Sequence, residues 1–230
     1  MPMTEPAQGS LCWLLHRRPY RNSSLIVELL SPDHGRVAAV ARAGRRNPAL
    51  QPFRPLHVQL RGRNELRSLV VCEPAGAPVS LSGEQLYCGL YLNELLVRLL
   101  QRDDPHPELL TLYQSTLNAL TAADLPMDVS LRWFEMNLID ALGYGLSLRQ
   151  DSTGHAIMAQ QQYDYLAGDG LVARSGGRFS GELLLALADN DWQDPVRRLA
   201  RDLMREVLAP HLGERPLLSR QLFRPKSRST

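Results

Sequence analysis

Arginine side chains gather at a break between two apolar runs in the first third of the chain. The stretch VARAGRRNPALQPFRPL (residues 40–56) contains Arg42, Arg45, Arg46 and Arg54. With one glycine and three prolines, it fits neither a flexible linker nor a good strand. A guanidinium group bonds phosphate oxygens with a planar fork and stacks on nucleobases, which a lysine ammonium does less well. The residue type and the spacing therefore indicate contacts to a phosphate backbone.

A second group of basic residues surrounds a proline–tyrosine pair. Arg17, Arg18 and Arg21 flank Pro19-Tyr20, a segment that we expect to form the first loop. A ring beside such charges can stack on bases, which contributes about 1–3 kcal/mol per base. A purely structural role for Tyr20 is an equally open interpretation. The residues that we expect to contact a nucleic acid are Arg17, Arg18, Tyr20, Arg21, Arg36, Arg42, Arg45 and Arg46.

The charges are segregated along the chain, although the formal net charge is only +2. Residues 1–80 contain 11 arginines and 5 acidic residues, whereas residues 81–210 contain 10 arginines and 18 acidic residues. Residues 211–230 are basic again. This segregation indicates that the two ends of the chain meet an anionic partner. A bias in codon composition is an alternative explanation for the preference for arginine over lysine.

Motifs for enzymatic chemistry are missing from the sequence. There is no G-x-x-x-x-G-K-[ST], no strand-linked G-x-G-x-x-G and no G-x-S-x-G. We interpret the carboxylates at 103–104 and 189–194 as helix caps and solvated faces. The three cysteines form no C-x-x-C pair, and the six histidines show no metal-ligand spacing. We therefore expect neither catalytic residues nor a metal or cofactor.

Five short apolar or alternating runs, separated by turn signals, predict a small β-barrel. They are LCWLLH (11–16), SLIVELLS (24–31), RVAAVAR (36–42), PLHVQLRG (55–62) and ELRSLVVC (65–72). Five such strands fit the OB-fold, a five-stranded Greek-key barrel that binds nucleic acid along its strand 2–3 face and its loops. An SH3-like barrel is the main alternative. Arg61, Arg63 and Arg67 flank the last turn, and we expect them to share a basic rim with the other loops.

The periodicity becomes helical from residue 81. Ser82 and Gln85 form a predicted capping box, followed by further helices at about 107–122 and from Pro126 to a C-cap at Gly143. Around Gly-Asp-Gly, the segment YDYLAGDGLVAR predicts a β-hairpin between helices. Two more helices are predicted after it, GELLLALAD with Ser180 as N-cap, and DPVRRLARDLMREVLAPHL with Asp194 as N-cap and Pro195 as first helical residue.

These patterns predict an α+β protein with two domains. We expect an N-terminal OB-fold barrel for nucleic-acid binding (residues 1–80) and an α-helical bundle (residues 81–230) with an inserted β-hairpin at about 150–180 and a basic tail at 211–230. No apolar run approaches the roughly 18 residues that span a bilayer. The first ten residues lack the features of a signal peptide. We therefore expect a cytoplasmic protein.

Blocks of the sequence resemble, in the correct order, the pattern of a known bacterial family. They are LLHRRPYRNSSLIVELLSPDHGRV, ALQPFRPL, LYCGLYLNELLVRLL, RWFEMNLIDALGYG and PLLSRQLF. Together they resemble RecO, the family of recombination mediators, in its branch without a zinc finger. Some relatives carry four cysteines in the segment corresponding to about 150–175. This chain has none there, which excludes a cysteine zinc site at those positions.

The resemblance implies a fold, an activity and partners. It implies an N-terminal OB-fold followed by a helical domain, binding of single- and double-stranded DNA, and annealing of complementary strands. It also implies a partnership with RecR and help in loading RecA onto DNA coated with single-stranded DNA-binding protein (SSB). An RNA-binding OB module is the main alternative function, and an enzyme acting on nucleic-acid ends is a third.

Family members bind the acidic, hydrophobic C-terminal tail of SSB on the helical domain. Such a peptide needs a basic residue for its carboxylates and an apolar pocket for its aromatic end. On this resemblance, Arg132 is the candidate basic residue; relatives can have a second basic residue beside it, where this chain has a tryptophan. An ion pair of Arg132 with Asp128 or Glu135 is the alternative. The candidate pocket residues are Leu131, Phe134 and Met136.

Overall fold

The structure, a computed structural model, describes residues 9–122 and 124–223. By their contacts the described residues divide into two compact units: a barrel unit, up to Ala122 and again from Leu217 onward, and a helical unit that ends at Pro216. The part of the predicted basic tail after residue 223 lies outside the described residues. None of the described helices has the length and apolar character needed to cross a membrane.

Five strands form a closed barrel at the start of the chain. They are β1 (Ser10–Tyr20), β2 (Ser24–Ser31), β3 (Gly35–Ala41), β4 (Pro55–Arg61) and β5 (Leu66–Pro74). Their order is β1-β2-β3-β5-β4, and β3 and β5 run parallel. The predicted five-stranded OB-type barrel is confirmed. Alternate apolar residues, such as Val27, Leu29 and Val58, fill its interior.

The first strand is longer than the sequence predicts. It pairs with β4 from Ser10 to Trp13 and then with β2 as far as Tyr20, with a register shift between Leu14 and His16. Arg17, Arg18 and Tyr20 therefore belong to a strand and not to a loop. Polar residues are tolerated in this extension because strand propensity depends mainly on packing against neighbours, and solvent reaches one face of this pair.

Two helices follow the barrel and cover part of its outside. They are α1 (Gly83–Leu99), with the predicted capping box of Ser82 and Gln85, and α2 (Pro107–Ala122). The buried ring of Trp13 meets the ring of Tyr113 edge to face at 5.5 Å. The Tyr113 hydroxyl donates a hydrogen bond to Asn93 Oδ1 at 2.6 Å. This bond satisfies the buried hydroxyl while the ring packs against Trp13.

The end of the described chain returns to α1. Leu217 is buried, and a short 3-10 helix, Ser219–Phe223, follows it. The Glu94 carboxylate accepts hydrogen bonds from the backbone N–H groups of Leu218 and Ser219, both at 2.8 Å, and from the Ser219 hydroxyl. These bonds satisfy free donors at the start of the 3-10 helix and attach the segment to α1.

The helical unit contains three helices and a small sheet. The elements are α3 (Met127–Ala141), β6 (Gln162–Leu166), β7 (Gly170–Ala173), β8 (Phe179–Ser180), α4 (Gly181–Ala188) and α5 (Asp194–Leu212). The predicted hairpin is present, and β8 adds a third strand to it. Ser180 is the N-cap of α4, as predicted. For α5 the prediction was wrong by one residue: Gln193 is the N-cap and Asp194 is already helical.

Candidate nucleic-acid interface

The strand register places a row of side chains on the outside of the barrel. Arg18 of β1 lies opposite Ile26 of β2, Ile26 lies opposite Val40 of β3, and Val40 is beside Ser68 of β5. The intervening residues, such as Val27, are buried in the barrel core. Because successive strand residues point to opposite faces, the side chains of the row face outward.

A tyrosine, a second arginine and a valine adjoin this row. Tyr20 lies opposite Ser24, two residues beyond Arg18 on β1. Ala41 of β3 pairs with Leu69 of the adjacent strand β5. Arg42 and Val70 are the residues that come directly after this pair. Arg42 is exposed, and Val70 is 52% exposed although it is a large apolar residue. An aromatic ring, an apolar side chain and guanidinium groups thus lie on one part of the surface.

Hydrogen bonds attach the arginine-bearing segment after β3 to the β1–β2 turn. Gly44–Arg46 forms a 3-10 helix. The Arg45 N–H donates to the carbonyl of Ser23 at 3.2 Å, and Arg45 Nη2 donates to the carbonyl of Arg21 at 3.3 Å. The guanidinium of Arg21 lies 5.1 Å from the centre of the Tyr20 ring. Two segments that are about 20 residues apart in sequence therefore present their arginines together.

We call Arg18, Tyr20, Arg21, Arg42, Arg45 and Arg46 the arginine surface. Across residues 9–122 and 124–223, none of its five arginines forms an ion pair with a carboxylate. All five are exposed. The charges are therefore available to an anionic ligand, and the neighbouring ring and apolar side chains offer a surface for bases.

Arg17 has a different position from its neighbours. It lies opposite Val27, in the phase of the residues that point into the barrel. Its Nη1 donates to the carbonyl of the buried Leu50 at 2.6 Å. Arg17 is exposed, so its charge still reaches solvent. Its predicted role as a nucleic-acid contact stays a prediction.

Arg36 does not lie with the other predicted contacts. Its Nη1 is 3.4 Å from Glu28 Oε2, its side chain is only 17% exposed, and the second oxygen of Glu28 pairs with Arg102. Burial lowers the pKa of Arg36, and Glu28 opposes this shift. The loop after α1 lies over this part of the barrel, where the N–H of Asp103 donates to the carbonyl of Arg36 at 3.0 Å. Part of the strand 2–3 face is thus already occupied by the protein itself.

The β4–β5 turn contributes arginines that were not among the predicted nucleic-acid contacts. Arg61 lies opposite Ser68, and Arg61 and Arg63 are exposed. Arg67 instead pairs with Asp103 at 2.6 Å. The alternation of ELRSLVV could have indicated the exposed Leu66 and Val70. However, the register shift between Gln59 and Leu60 decides which residues face outward, and this shift has no clear mark in the sequence.

The residues expected to bind an SSB tail are mostly buried in the helical unit. Phe134 and Leu131 are buried, at 0% and 9% exposure. Arg132 Nη2 bonds the buried carboxylate of Glu135, and the Arg132 side chain is only 12% exposed. The ion pair with Glu135 that we considered as an alternative is therefore present. Asp128 pairs with Arg197 instead.

Met136, one of the predicted pocket residues, lines a cavity. The cavity has a volume of about 200 Å³ and lies between α3, α4 and α5. Its walls are mainly apolar, with Ile139, Leu203 and Val207 among them, and Asn137 and Asp140 add polar groups. We call it the Met136 cavity. It is large enough to accept an apolar side chain of a ligand. The ring of Phe134 is fully buried and cannot contact that side chain.

Comparisons with known proteins agree with the fold. The family model described as "Recombination protein O N terminal" matches residues 11–78, and "Recombination protein O C terminal" matches residues 80–221. The chain is 47% identical to DNA repair protein RecO of Alkalilimnicola ehrlichii, over 94% of this chain and 91% of that protein. It is 44% identical to DNA repair protein RecO of Pseudomonas aeruginosa, over 97% of each chain. The chain therefore belongs to the RecO family of DNA repair proteins.

Proposed function

We propose that the protein is a non-enzymatic recombination mediator that binds single- and double-stranded DNA on its arginine surface. One observation carries this proposal. A closed five-stranded barrel holds a group of five exposed arginines that have no carboxylate partner among the described residues. Arginine charges on such a surface displace counterions from the phosphate backbone, which favours binding without sequence preference. Membership of a DNA repair family supports the choice of DNA as the ligand.

The same surface provides a physical route to strand annealing. Two complementary strands repel each other through their phosphates, and the repulsion falls when a bound protein neutralises part of that charge. Tyr20 and Val70 offer contacts to unpaired bases, while Arg61 and Arg63 extend the positive charge toward the β4–β5 turn. Contacts made through backbone charge and base stacking leave the pairing edges of the bases free.

In the cell, we propose that the protein acts with RecR and helps to load RecA onto DNA coated with SSB. The helical unit would hold the acidic tail of SSB, with the apolar end of the tail in the Met136 cavity. Arg132 lies one helical turn before Met136 on α3, so its guanidinium is the charge that would attract the carboxylates of the tail, although its Nη2 also bonds Glu135.

Titration with single-stranded DNA at several salt concentrations, with and without SSB, tests the mediator function. We expect the logarithm of the affinity to fall linearly with the logarithm of the salt concentration. We also expect a ternary complex on SSB-coated DNA. Competition between equal lengths of single-stranded DNA and RNA addresses the alternative function. A strong preference for RNA would contradict our proposal and favour an RNA-binding module.

A labelled SSB-tail peptide tests the site on the helical unit. The substitution Met136→Glu places a carboxylate at the cavity, one helical turn from Arg132. The new charge repels the acidic tail and competes for the Arg132 guanidinium, so we expect weaker peptide binding and unchanged DNA binding. Arg149→Ala is the matched control, because it removes only an exposed partner of Asp189. Loss of peptide and DNA binding together would show that the two sites are not separable.

A further inference from the structure

A second cavity of the helical unit has no role in the proposed function. Its volume is about 490 Å³. It is lined by the segment after α3, the β6–β7 turn and the last turn of α5, with Tyr144, Asp169 and His211 among the lining residues. We call it the tyrosine cavity. Its size and its mixed polar and aromatic lining fit a ligand group larger than a water molecule.

Aromatic rings form one wall of the tyrosine cavity. The ring of Tyr144 lies 4.3 Å from the ring of His211, and Tyr144 is 58% exposed. Tyr165 of β6 also lines the cavity. The face of a tyrosine ring carries partial negative charge and attracts a cation that stacks on it. An exposed ring held against a second ring is therefore a prepared surface for a planar cation.

Two carboxylates line the same cavity. Asp151 Oδ1 accepts hydrogen bonds from the N–H groups of Thr153 at 2.9 Å and His155 at 3.0 Å. Hydrogen bonds from Thr153 lower the pKa of Asp151 against the opposing effect of burial, so its carboxylate is held both in place and in the charged form. Asp169 is exposed at the β6–β7 turn and forms no ion pair in the part of the chain that the structure describes.

The backbone adds negative potential to this cavity. Gly143 lies just after the end of α3, and Pro210 and His211 belong to the last turn of α5. The C-terminal end of a helix carries a partial negative charge, so two helices direct this charge at the cavity. Among the described lining residues there is no arginine or lysine. Arg149, next to the lining Gln150, is paired with Asp189 instead.

We propose that the tyrosine cavity binds an arginine side chain that a basic segment of a partner protein presents. The guanidinium stacks on the Tyr144 ring and donates hydrogen bonds toward Asp151 and Asp169, a combination that suits its planar fork better than a lysine ammonium. A nucleic acid does not fit this site, because the carboxylates and both helix ends repel phosphate. The proposal is independent of DNA binding by the barrel.

A short fluorescent peptide with one arginine between glycines and serines tests this proposal on the full-length protein by fluorescence anisotropy. The matched probes replace arginine by citrulline, which has the same shape without the charge, or by lysine. We expect the arginine peptide to bind about tenfold more tightly than the citrulline peptide, and more tightly than the lysine peptide. Equal binding of all three peptides would overturn the proposal.

Three variants locate the binding. Asp169→Asn and Tyr144→Ala should each weaken the arginine peptide about tenfold. Asp124→Asn, an exposed aspartate of the same unit outside the cavity, should leave its affinity unchanged. Circular dichroism melting shows that each variant is folded. If Asp124→Asn weakens the peptide as much as Asp169→Asn does, the peptide senses only the overall negative charge, and the site is refuted.

Discussion

At the scale of single residues, the role of each barrel arginine depends on which side of its strand it occupies. Arg18 and Arg42 face outward near Val40 and keep their charge for a ligand. Arg36 is on the same strand as Val40, yet it is covered and paired with Glu28. Two arginines of β3 and its flank, six residues apart in sequence, therefore differ: Arg36 is paired inside the protein, whereas Arg42 is exposed and available to a ligand.

We expect Arg36→Met to destabilise the protein without weakening DNA binding by the folded state. The substitution leaves the largely buried carboxylate of Glu28, whose side chain is 10% exposed, with Arg102 as its remaining ion-pair partner among the described residues. The loss of one charge-assisted hydrogen bond at such a site costs about 1–3 kcal/mol of unfolding free energy. Urea denaturation measures this cost.

Arg18→Met is the control for Arg36→Met, because Arg18 is exposed and forms no ion pair in the described residues. We expect the reverse pattern for it, with lower DNA affinity and stability within about 0.5 kcal/mol of the parent protein. If Arg36→Met reduces DNA affinity as much as Arg18→Met does, then Arg36 contacts DNA as the sequence predicted, and its ion pair opens on binding.

Sequence patterns predicted most strands of the barrel but only some of the side chains that lie on its outer surface. Alternation in VQLRG and ELRSLVV identifies two strands, because one face of each strand is buried. The outward position of Val70 depends on a register shift between two strands. The burial of Arg36 depends on a loop that is more than 60 residues away in sequence. Such long-range contacts leave no periodic signal in either segment.

At the scale of elements, the returning C-terminal segment depends on one carboxylate of α1. Glu94 accepts bonds from Leu218 and Ser219, and the Tyr87 ring meets the Phe223 ring edge to face at 5.7 Å. The resemblance of PLLSRQLF to a family block marked this segment as important. Its partner on α1 was not predictable, because no periodicity connects residue 94 with residue 219.

We expect Glu94→Gln to loosen the segment 217–223 while α1 stays folded. The neutral amide accepts weaker hydrogen bonds from N–H groups than a carboxylate does. Hydrogen exchange of the backbone amides of Leu218 and Ser219 should therefore be faster in the variant at neutral pH, with unchanged exchange in the middle of α1. Unchanged exchange at both amides would show that the apolar contacts of the segment hold it without Glu94.

The contribution of Glu94 should also depend on pH. Burial raises the pKa of Glu94, but the hydrogen bonds from Ser219 and Leu218 outweigh it, and the net pKa is lowered. A carboxylate with a lowered pKa stabilises the folded state above its unfolded-state pKa, and this stabilisation is lost as the pH falls through its folded-state pKa. The difference in unfolding free energy between the parent protein and Glu94→Gln should therefore shrink on acidification.

A glycine at the start of β3 lets the loop after α1 approach the barrel. Gly35 has φ +61°, and a Cβ atom there would lie 1.8 Å from the carbonyl oxygen of Asp104. We expect Gly35→Ala to cost at least about 1–3 kcal/mol of unfolding free energy from the backbone conformation alone, with a further cost from the clash. Thermal unfolding of Gly35→Ala and of the control Gly83→Ala measures both.

Gly83 is a suitable control because its φ, +54°, is close to that of Gly35, but a Cβ atom there would have no described neighbour within 4 Å. Its substitution therefore carries only the conformational cost. We expect a clearly larger loss of stability for Gly35→Ala. Equal losses would mean that the loop moves away at no cost and that its contact with the barrel is weak.

At the scale of the whole molecule, the two units differ in how far their arginines are paired with carboxylates. The barrel unit carries the arginine surface, with arginines free of ion pairs among the described residues. In the helical unit many arginines are paired, such as Arg197 with Asp128 and Arg178 with Glu206. Composition alone showed the segregation. It could not show that carboxylates pair with many arginines of the helical unit but, among the described residues, with none of those on the arginine surface.

The double substitution Arg45→Glu with Arg46→Glu tests whether the position of charge matters more than its total. We expect weaker binding of single-stranded DNA and a shallower salt dependence, with the slope reduced by about 1.4 if each arginine neutralises one phosphate. The matched control is Arg198→Glu with Arg205→Glu, two exposed arginines of α5 without ion pairs in the described residues. Both variants change the net charge by the same amount. If the control flattens the salt slope equally, DNA responds to the overall charge of the molecule, and the arginine surface is not the binding site.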